Sequence, residues 1–313
     1  MRVGIAGAGG VGGLIGGFLA KQGVKLALLA RGAHLAALRE HGLRIDGTLG
    51  ALTVRGFAVS DRGSELGRCD VVFVAVKTWQ LERTIAEIRP MVGEGTVVIP
   101  LQNGIGAWDR LARELGEAAV AGGIIFVNSW VDSPGVIKQL GPLARVVLGE
   151  RAGGVSPRLT AIADLLGPAG ITVELEPDVQ KRNWEKFLGF EPMALVGALS
   201  RSTIGTFRAD AAARGVLVAL MNEVAAIGRR KGVALGDDAV ERRLAIIDGL
   251  AQDATISMQR DLMAGRPSEF MEQSVGLLAL ARDLGVETPV HDVCVPLLQL
   301  QEHAARAQRD ARS

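Results

Sequence analysis

Tyrosine is absent from the 313 residues, cysteine occurs twice and histidine four times. The first absence excludes a tyrosine acid–base mechanism. The two cysteines, Cys69 and Cys294, lie far apart with no metal or redox spacing, which leaves a reduced intracellular, cytoplasmic setting as the expectation. No metal site is implied, and none of the four histidines stands beside the motifs described below in sequence. An excess of one charge is missing too: 35 Lys and Arg against 34 Asp and Glu give a net charge of +1. Composition therefore offers no argument for nucleic acid or an anionic membrane as partner. No uninterrupted apolar run reaches the roughly 18 residues that would span a bilayer. No charged-then-apolar leader precedes the first strand, so no secretion signal is expected.

What is present is an ordinary globular composition, 48% hydrophobic and 22% charged, long enough for about two domains. The stretch that organises the chain is its start. Arg2 to Ala6 reads as a short buried strand. It runs into Gly7-Ala8-Gly9-Gly10-Val11-Gly12, a G-x-G-x-x-G, and then into a helical pattern through Leu14, Ile15, Phe18 and Leu19. Strand, glycine turn and helix in that order form the dinucleotide-binding context. Gly7 permits the tight turn, Gly9 lets a pyrophosphate approach the backbone, and Gly12 lets the helix pack on the sheet. The N–H groups that open the helix, at Gly10 and Val11, then face the phosphates. The plain alternative is a glycine-rich turn that holds no nucleotide.

A second apolar strand, Val24 to Ala30, ends at Arg31, about 20 residues beyond the glycines, where the ribose 2′ position is read. An acid there would favour NAD. A cation suits a 2′-phosphate, which predicts NADP(H). Nearby His34 is within reach of the same phosphate but reads first as a solvated helix-start residue. Leu43 to Ala58 reads as a β-hairpin with glycine turns. The buried strands Cys69 to Val76 and Thr96 to Leu101 end in polar clusters, Lys77-Thr78-Trp79-Gln80 and Gln102-Asn103-Gly104-Ile105-Gly106. Open α/β sheets place their ligands at such strand ends. Further strands are expected in Ala119 to Asn128, Gly135 to Gly149 and Ile171 to Leu175, with helices over Gln80 to Met91 and Pro157 to Leu166.

From about Asp178 the texture becomes helical. Helices are expected over Val179 to Leu199, Ala209 to Lys231, Asp237 to Met263, Ser268 to Leu284 and from Val290 into the tail. The fold class is α/β plus all-α. A Rossmann-type doubly wound sheet over residues 1–177 precedes a helical substrate domain over 178–313, with a ligand cleft expected between them. Apolar helices would suit a homodimer as well as a monomer.

Several segments in this order resemble the ketopantoate reductases (2-dehydropantoate 2-reductases), NADPH-dependent enzymes with a Rossmann domain and a helical domain. They are GAGGVGG at Gly7 to Gly13, the strand ending in Arg31, VAVKTWQ at Val74 to Gln80, LQNGIG at Leu101 to Gly106, PGVI at Pro134 to Ile137, NWEKF at Asn183 to Phe187, and SMQRDLMAGRPSE at Ser257 to Glu269. The resemblance implies that Lys186 is the catalytic lysine and that Glu269 orients it and the substrate. It makes Ser257 a substrate-binding hydroxyl, and it places Lys77 and Asn103 against both cofactor and substrate. A lysine of this kind can hydrogen-bond a ketone oxygen and give it a proton as hydride reaches the carbon. Read without the resemblance, Lys186 is equally a rim lysine with its stem on apolar surface. Ser268-Glu269 is equally an ordinary helix start.

The chain departs from the family where asparagines follow the catalytic lysine; Phe190 and Met193 stand near those positions. Gln139 replaces a histidine frequent among relatives. An apolar side chain cannot replace an amide's hydrogen bonds, so a bulkier or more apolar 2-oxo acid, or an imine, is an alternative substrate to 2-dehydropantoate of the pantothenate pathway. An NADP(H)-binding regulator without catalysis is the reading from a different class.

Overall fold

The computed structural model describes residues 1–48 and 50–310. The chain divides into two compact units. The first comprises Met1–Gln102 and Ala107–Val179; the second comprises the short segment Asn103–Gly106 and the chain from Gln180 onward.

The first unit is built on a five-stranded, all-parallel sheet in the spatial order Ala58–Ser60, Lys25–Leu29, Arg2–Ala6, Val71–Val74, Val97–Pro100. Alternate residues of these strands feed two different hydrophobic clusters. Val3, Ile5, Leu28, Phe73 and Ile99 enter one, while Ala6, Ala27, Val72, Val74 and Val98 enter the other. A period of two with both faces apolar is the signature of a parallel sheet covered on both sides. An isolated parallel bridge between Val98 and Val120 leads on to a three-stranded sheet of Thr172–Leu175, Arg145–Gly149 and Gly122–Phe126.

The expected hairpin forms, as Leu43–Gly47 paired antiparallel with Gly50–Val54. It belongs to a further four-stranded sheet, completed by Val136–Gln139 and by Ser129–Ser133, a strand that falls between the ones expected from the sequence. Gln139 is buried here, with its Nε2 donating to the carbonyls of Gly141 and Pro142 at 2.6 and 2.9 Å. Its place is structural, tying down the end of its strand.

The second unit is helical, and its core gathers Trp184, Phe187, Leu188, Phe207, Leu220, Met221 and Phe270. The single helix expected over Asp237 to Met263 is instead two, Ala239–Asp248 and Ser257–Met263. The cause is tertiary. Arg208 donates to the carbonyls of Ile247 and Leu250, and the N–H groups of Ile204 and Gly205 donate to Ala254 and Gln252. Those carbonyls are the ones a continuing helix would use. The helix making these bonds, Ile204–Ala209, is capped by Thr203 and lay outside the sequence reading.

Among the described residues one helix, Ala211–Arg230, has the length and apolar composition to cross a membrane. Its inward face is the core of this unit, through Leu217, Leu220, Met221 and Val224, and it carries a buried glutamate, Glu223.

Candidate active site

In the first unit the strand Arg2–Ala6 delivers the chain into the glycine turn, and the helix Gly10–Lys21 leaves it. Gly7 adopts φ +97°, and a Cβ there would meet Val76. A Cβ on Gly12 would stand 2.2 Å from the Gly7 carbonyl, so only glycine lets the helix start this close to the turn. Gly9 differs: a Cβ there would meet nothing within 4 Å, which leaves open approach to its backbone. No side chain caps the helix, so the N–H groups opening it at Gly10 and Val11 remain available to an anion. The site therefore fits the pyrophosphate of a dinucleotide. Gly10 carries a second constraint, because a Cβ there would lie 2.6 Å from the Ser129 carbonyl.

His34 is not the solvated residue expected, and it does stand beside a motif. Half-buried, its Nε2 bonds the Ala8 carbonyl at 2.8 Å, and its Nδ1 accepts from the Gly135 N–H at 3.0 Å. Burial holds its pKa below the usual imidazole range, which suits this neutral bridging tautomer.

Arg31 precedes the helix Gly32–His41 at the carboxyl end of Lys25–Leu29. Partial burial and then the neighbouring Arg83 hold its guanidinium below the usual range, with Glu87 opposing. Arg83 is not among the residues the sequence singles out. Lys77 follows the strand Val71–Val74 and lies 5.8 Å from the centre of the Trp79 ring. Gln102, at the end of the next strand's loop, is buried, and neither atom of its amide has a hydrogen-bond partner among the described residues.

In the second unit the long helix Val179–Ser200 carries Lys186. Its Nζ donates to Asn103 Oδ1 at 2.8 Å, joining residues 83 apart in sequence. One turn back, the buried Asn183 donates from Nδ2 to the Gly104 carbonyl at 3.1 Å. The NWEKF segment thus holds the loop and aims the lysine at it. The Phe190 ring lies 5.7 Å from Lys186 Nζ, and Met193 is buried on the same helix. Met193 packs in the core of this unit. Ser257 begins the helix Ser257–Met263, half-buried. That helix is held by Gln259, wholly buried, whose Nε2 donates to the Ser202 carbonyl at 2.7 Å.

Glu269 is buried at the head of a segment fastened at both ends. Ser268 is not a simple helix cap. Its N–H and its hydroxyl both donate to the buried carboxylate of Glu302, at 3.0 and 2.7 Å, and Arg306 completes that cluster with Glu302 and Glu272. The helix expected from Ser268 starts with a π-helical turn, Met271–Val275, before settling into Gly276–Leu284. At its far end Ser274 Oγ donates to Glu191 Oε1 at 2.6 Å. Glu191 and Glu223 enclose His291, whose ring nitrogens lie 3.1 and 2.5 Å from their carboxylates. All three are buried.

Burial alone would depress the His291 pKa, but Glu191 and Glu223 hold it up at about 9. The ring is therefore an imidazolium at neutral pH. Unfolded, it would titrate near 6.5. The stability this charge contributes is complete below that value and is lost as pH rises through 9. Tm is expected to fall between pH 7 and 9.5 in the wild type and to lose most of that slope in His291→Gln. Equal slopes for the two proteins in a thermal melt series would refute the assignment.

Comparison with known proteins agrees with this architecture. The family model described as "Ketopantoate reductase PanE/ApbA" matches residues 3–153, and "Ketopantoate reductase PanE/ApbA C terminal" matches residues 178–302. The chain is 30% identical over 322 residues to the 2-dehydropantoate 2-reductase of Mesorhizobium japonicum, covering 96% of this chain and 97% of that one. The solved 2-dehydropantoate 2-reductase of Geobacter metallireducens superposes with a TM-score of 0.87 at 29% identity, over 96% of this chain and 99% of that one. D-mandelate dehydrogenase, solved with NADH and anilino(oxo)acetate, shares the fold at a TM-score of 0.86 and 21% identity, over 98% and 99% of the two chains. With both domains matched in order along nearly its whole length, the chain belongs to the ketopantoate reductase family of oxidoreductases.

Proposed function

We propose that the protein is an NADPH-dependent reductase that converts a 2-oxo acid into a 2-hydroxy acid, with 2-dehydropantoate the first candidate substrate. The observation that carries this reading is the 2.8 Å hydrogen bond from Lys186 Nζ to Asn103 Oδ1. It fixes the direction of one N–H of the ammonium. A bound nicotinamide supplies the hydride. Lys186 donates a hydrogen bond to the ketone oxygen, stabilises the charge that develops there and gives up its proton as the C–H bond forms. Asn103 keeps Nζ in place during that transfer. Glu269 and Ser257 complete the substrate contacts, and Lys77 contributes a cation at its strand end.

On the cofactor side, Gly7, Gly9, Gly10, Val11 and Gly12 hold the pyrophosphate, while Arg31 together with Arg83 takes the 2′-phosphate. Arg83 acts on Arg31 as a like charge, and a 2′-phosphate at Arg31 would be attracted by both cations, which favours NADPH over NADH. The apolar side chains of Phe190 and Met193 favour a substrate with an apolar body behind its oxo acid.

Following NADPH absorbance tests the reading, first with 2-dehydropantoate and then with larger and more apolar 2-oxo acids. Oxidation with at least one of them is expected. NADPH binding without turnover across the whole set would refute the reductase and leave a nucleotide-binding regulator.

A further inference from the structure

We propose that Gln273 is a specificity-determining residue of this site, its side-chain amide receiving the carboxylate of the 2-oxo acid. The proposal rests on the reductase reading above for its substrate class, and on three observations for its residue.

The first is an orphaned amide. Gln273 is 1% exposed, and neither its Nε2 nor its Oε1 has a hydrogen-bond partner among the described residues. Native proteins pair nearly all their buried polar groups, because an unpaired one keeps its desolvation cost with no return. A buried amide with both ends unspent is therefore unexplained by folding alone.

The second is location. A Cβ on Gly104 would lie 3.2 Å from Gln273 Cγ and 3.7 Å from Cδ, so the amide carbon rests against the backbone of that glycine. Asn183 holds the Gly104 carbonyl, and the preceding residue, Asn103, receives Lys186. The same four-residue loop thus touches the lysine helix and the Gln273 side chain.

The third is how Gln273 is presented. It lies within the π-helical turn Met271–Val275, a feature that recurs at functional sites. The flanking serines bear the fixing contacts, Ser268 to Glu302 and Ser274 to Glu191. Gln273 is held in place by its neighbours' bonds, and its own amide stays available.

The chemistry follows from the group. A primary amide offers two N–H donors and one carbonyl acceptor. Nε2 suits a carboxylate oxygen, and Oε1 suits a hydroxyl or a protonated group beside it. In a 2-oxo acid the carboxylate adjoins the carbonyl that Lys186 would take, and the side chains one and two turns beyond the ammonium on the lysine helix, Phe190 and Met193, are apolar. Gln273 supplies the polar contact that those two side chains do not.

The test is Gln273→Met in the full chain, with an unbranched apolar side chain of similar length. The expected result is a roughly 10- to 100-fold fall in kcat/KM for the 2-oxo acid, the range of a lost hydrogen bond to a charged group. The fall should appear mainly in KM, with the Kd for NADPH unchanged and Tm equal to or above that of the wild type. A structural amide would behave in the opposite way. Lower Tm with unchanged kcat/KM overturns the proposal. A weaker NADPH Kd with unchanged KM for the acid also overturns it, by moving the amide to the cofactor. Failure of the reductase reading would show separately, as no NADPH oxidation by the wild type. In that event the thermal shift produced by 2-dehydropantoate decides. A shift in the wild type that is lost in Gln273→Met sustains the proposal, and no shift in the wild type overturns it.

Discussion

Replacing Lys186 by alanine is expected to lower kcat by about two to four orders of magnitude, the range for removing a positioned general acid that also stabilises developing charge. The expectation is specific because the variant leaves the rest of the helix intact. Phe187 and Leu188, the next two residues, are buried in the core, whereas Lys186 Nζ is directed at Asn103 in the loop. Tm should therefore change little, and titration of NADPH fluorescence should give an unchanged Kd. Asn103→Ala should produce a smaller loss, because it removes one contact of the ammonium and leaves the ammonium itself. The discriminating quantity is kcat at saturating NADPH and oxo acid. If Lys186→Ala turns over at the wild-type rate, the proton comes from elsewhere and the mechanism falls.

The second large effect concerns the choice of nucleotide. Arg31→Ala should weaken NADPH binding roughly 30- to 1,000-fold, as expected when one partner of a charge-assisted contact is truncated. NADH binding should be nearly unaffected, so the ratio of the two Kd values reports the 2′-phosphate contact alone. The structural basis is the place of Arg31 at the carboxyl end of Lys25–Leu29, where Arg83 adds a second positive charge. Removing Arg83 instead should reproduce part of the loss. The effect should also shrink as salt rises, because exposed charges are screened. Equal weakening of NADPH and NADH would show that Arg31 acts on the fold of the turn and not on the phosphate.

What the sequence shows of this protein divides by distance along the chain. The strand, glycine turn and opening helix are legible because every constraint in them is local: Gly7, Gly9 and Gly12 lie within six residues, and the strand ends where they begin. Lys186 is legible only through the resemblance and Asn103 also through its strand-end loop, while their pairing is not legible at all, since 83 residues separate them. The Glu191–His291–Glu223 cluster joins residues 100 and 68 apart, and no periodicity announces it. His34 was read as surface because its two partners, Ala8 and Gly135, come from 26 residues before it and 101 after it. The break between Asp248 and Ser257 carries no proline; it is imposed by Arg208 and the start of the Ile204–Ala209 helix, which take its carbonyls. Gln273 was invisible for a different reason. What marks it is the absence of partners, and only packing reveals an absence.

Both ends of the Glu269 segment answer to the helix Pro289–Asp310: Ser268 through Glu302, and Ser274 through Glu191 and His291. Mutational drift in that helix therefore has an unusual reach. Its outward residues, such as Val293, Leu297 and Leu300, are exposed. A change at His291, Glu302 or Arg306 shifts the segment that carries Glu269 and Gln273, the two residues proposed above to meet the substrate. On that reading, variants with altered substrate range can arise in this helix as well as at Phe190, and a search confined to the lining of the site would pass over them.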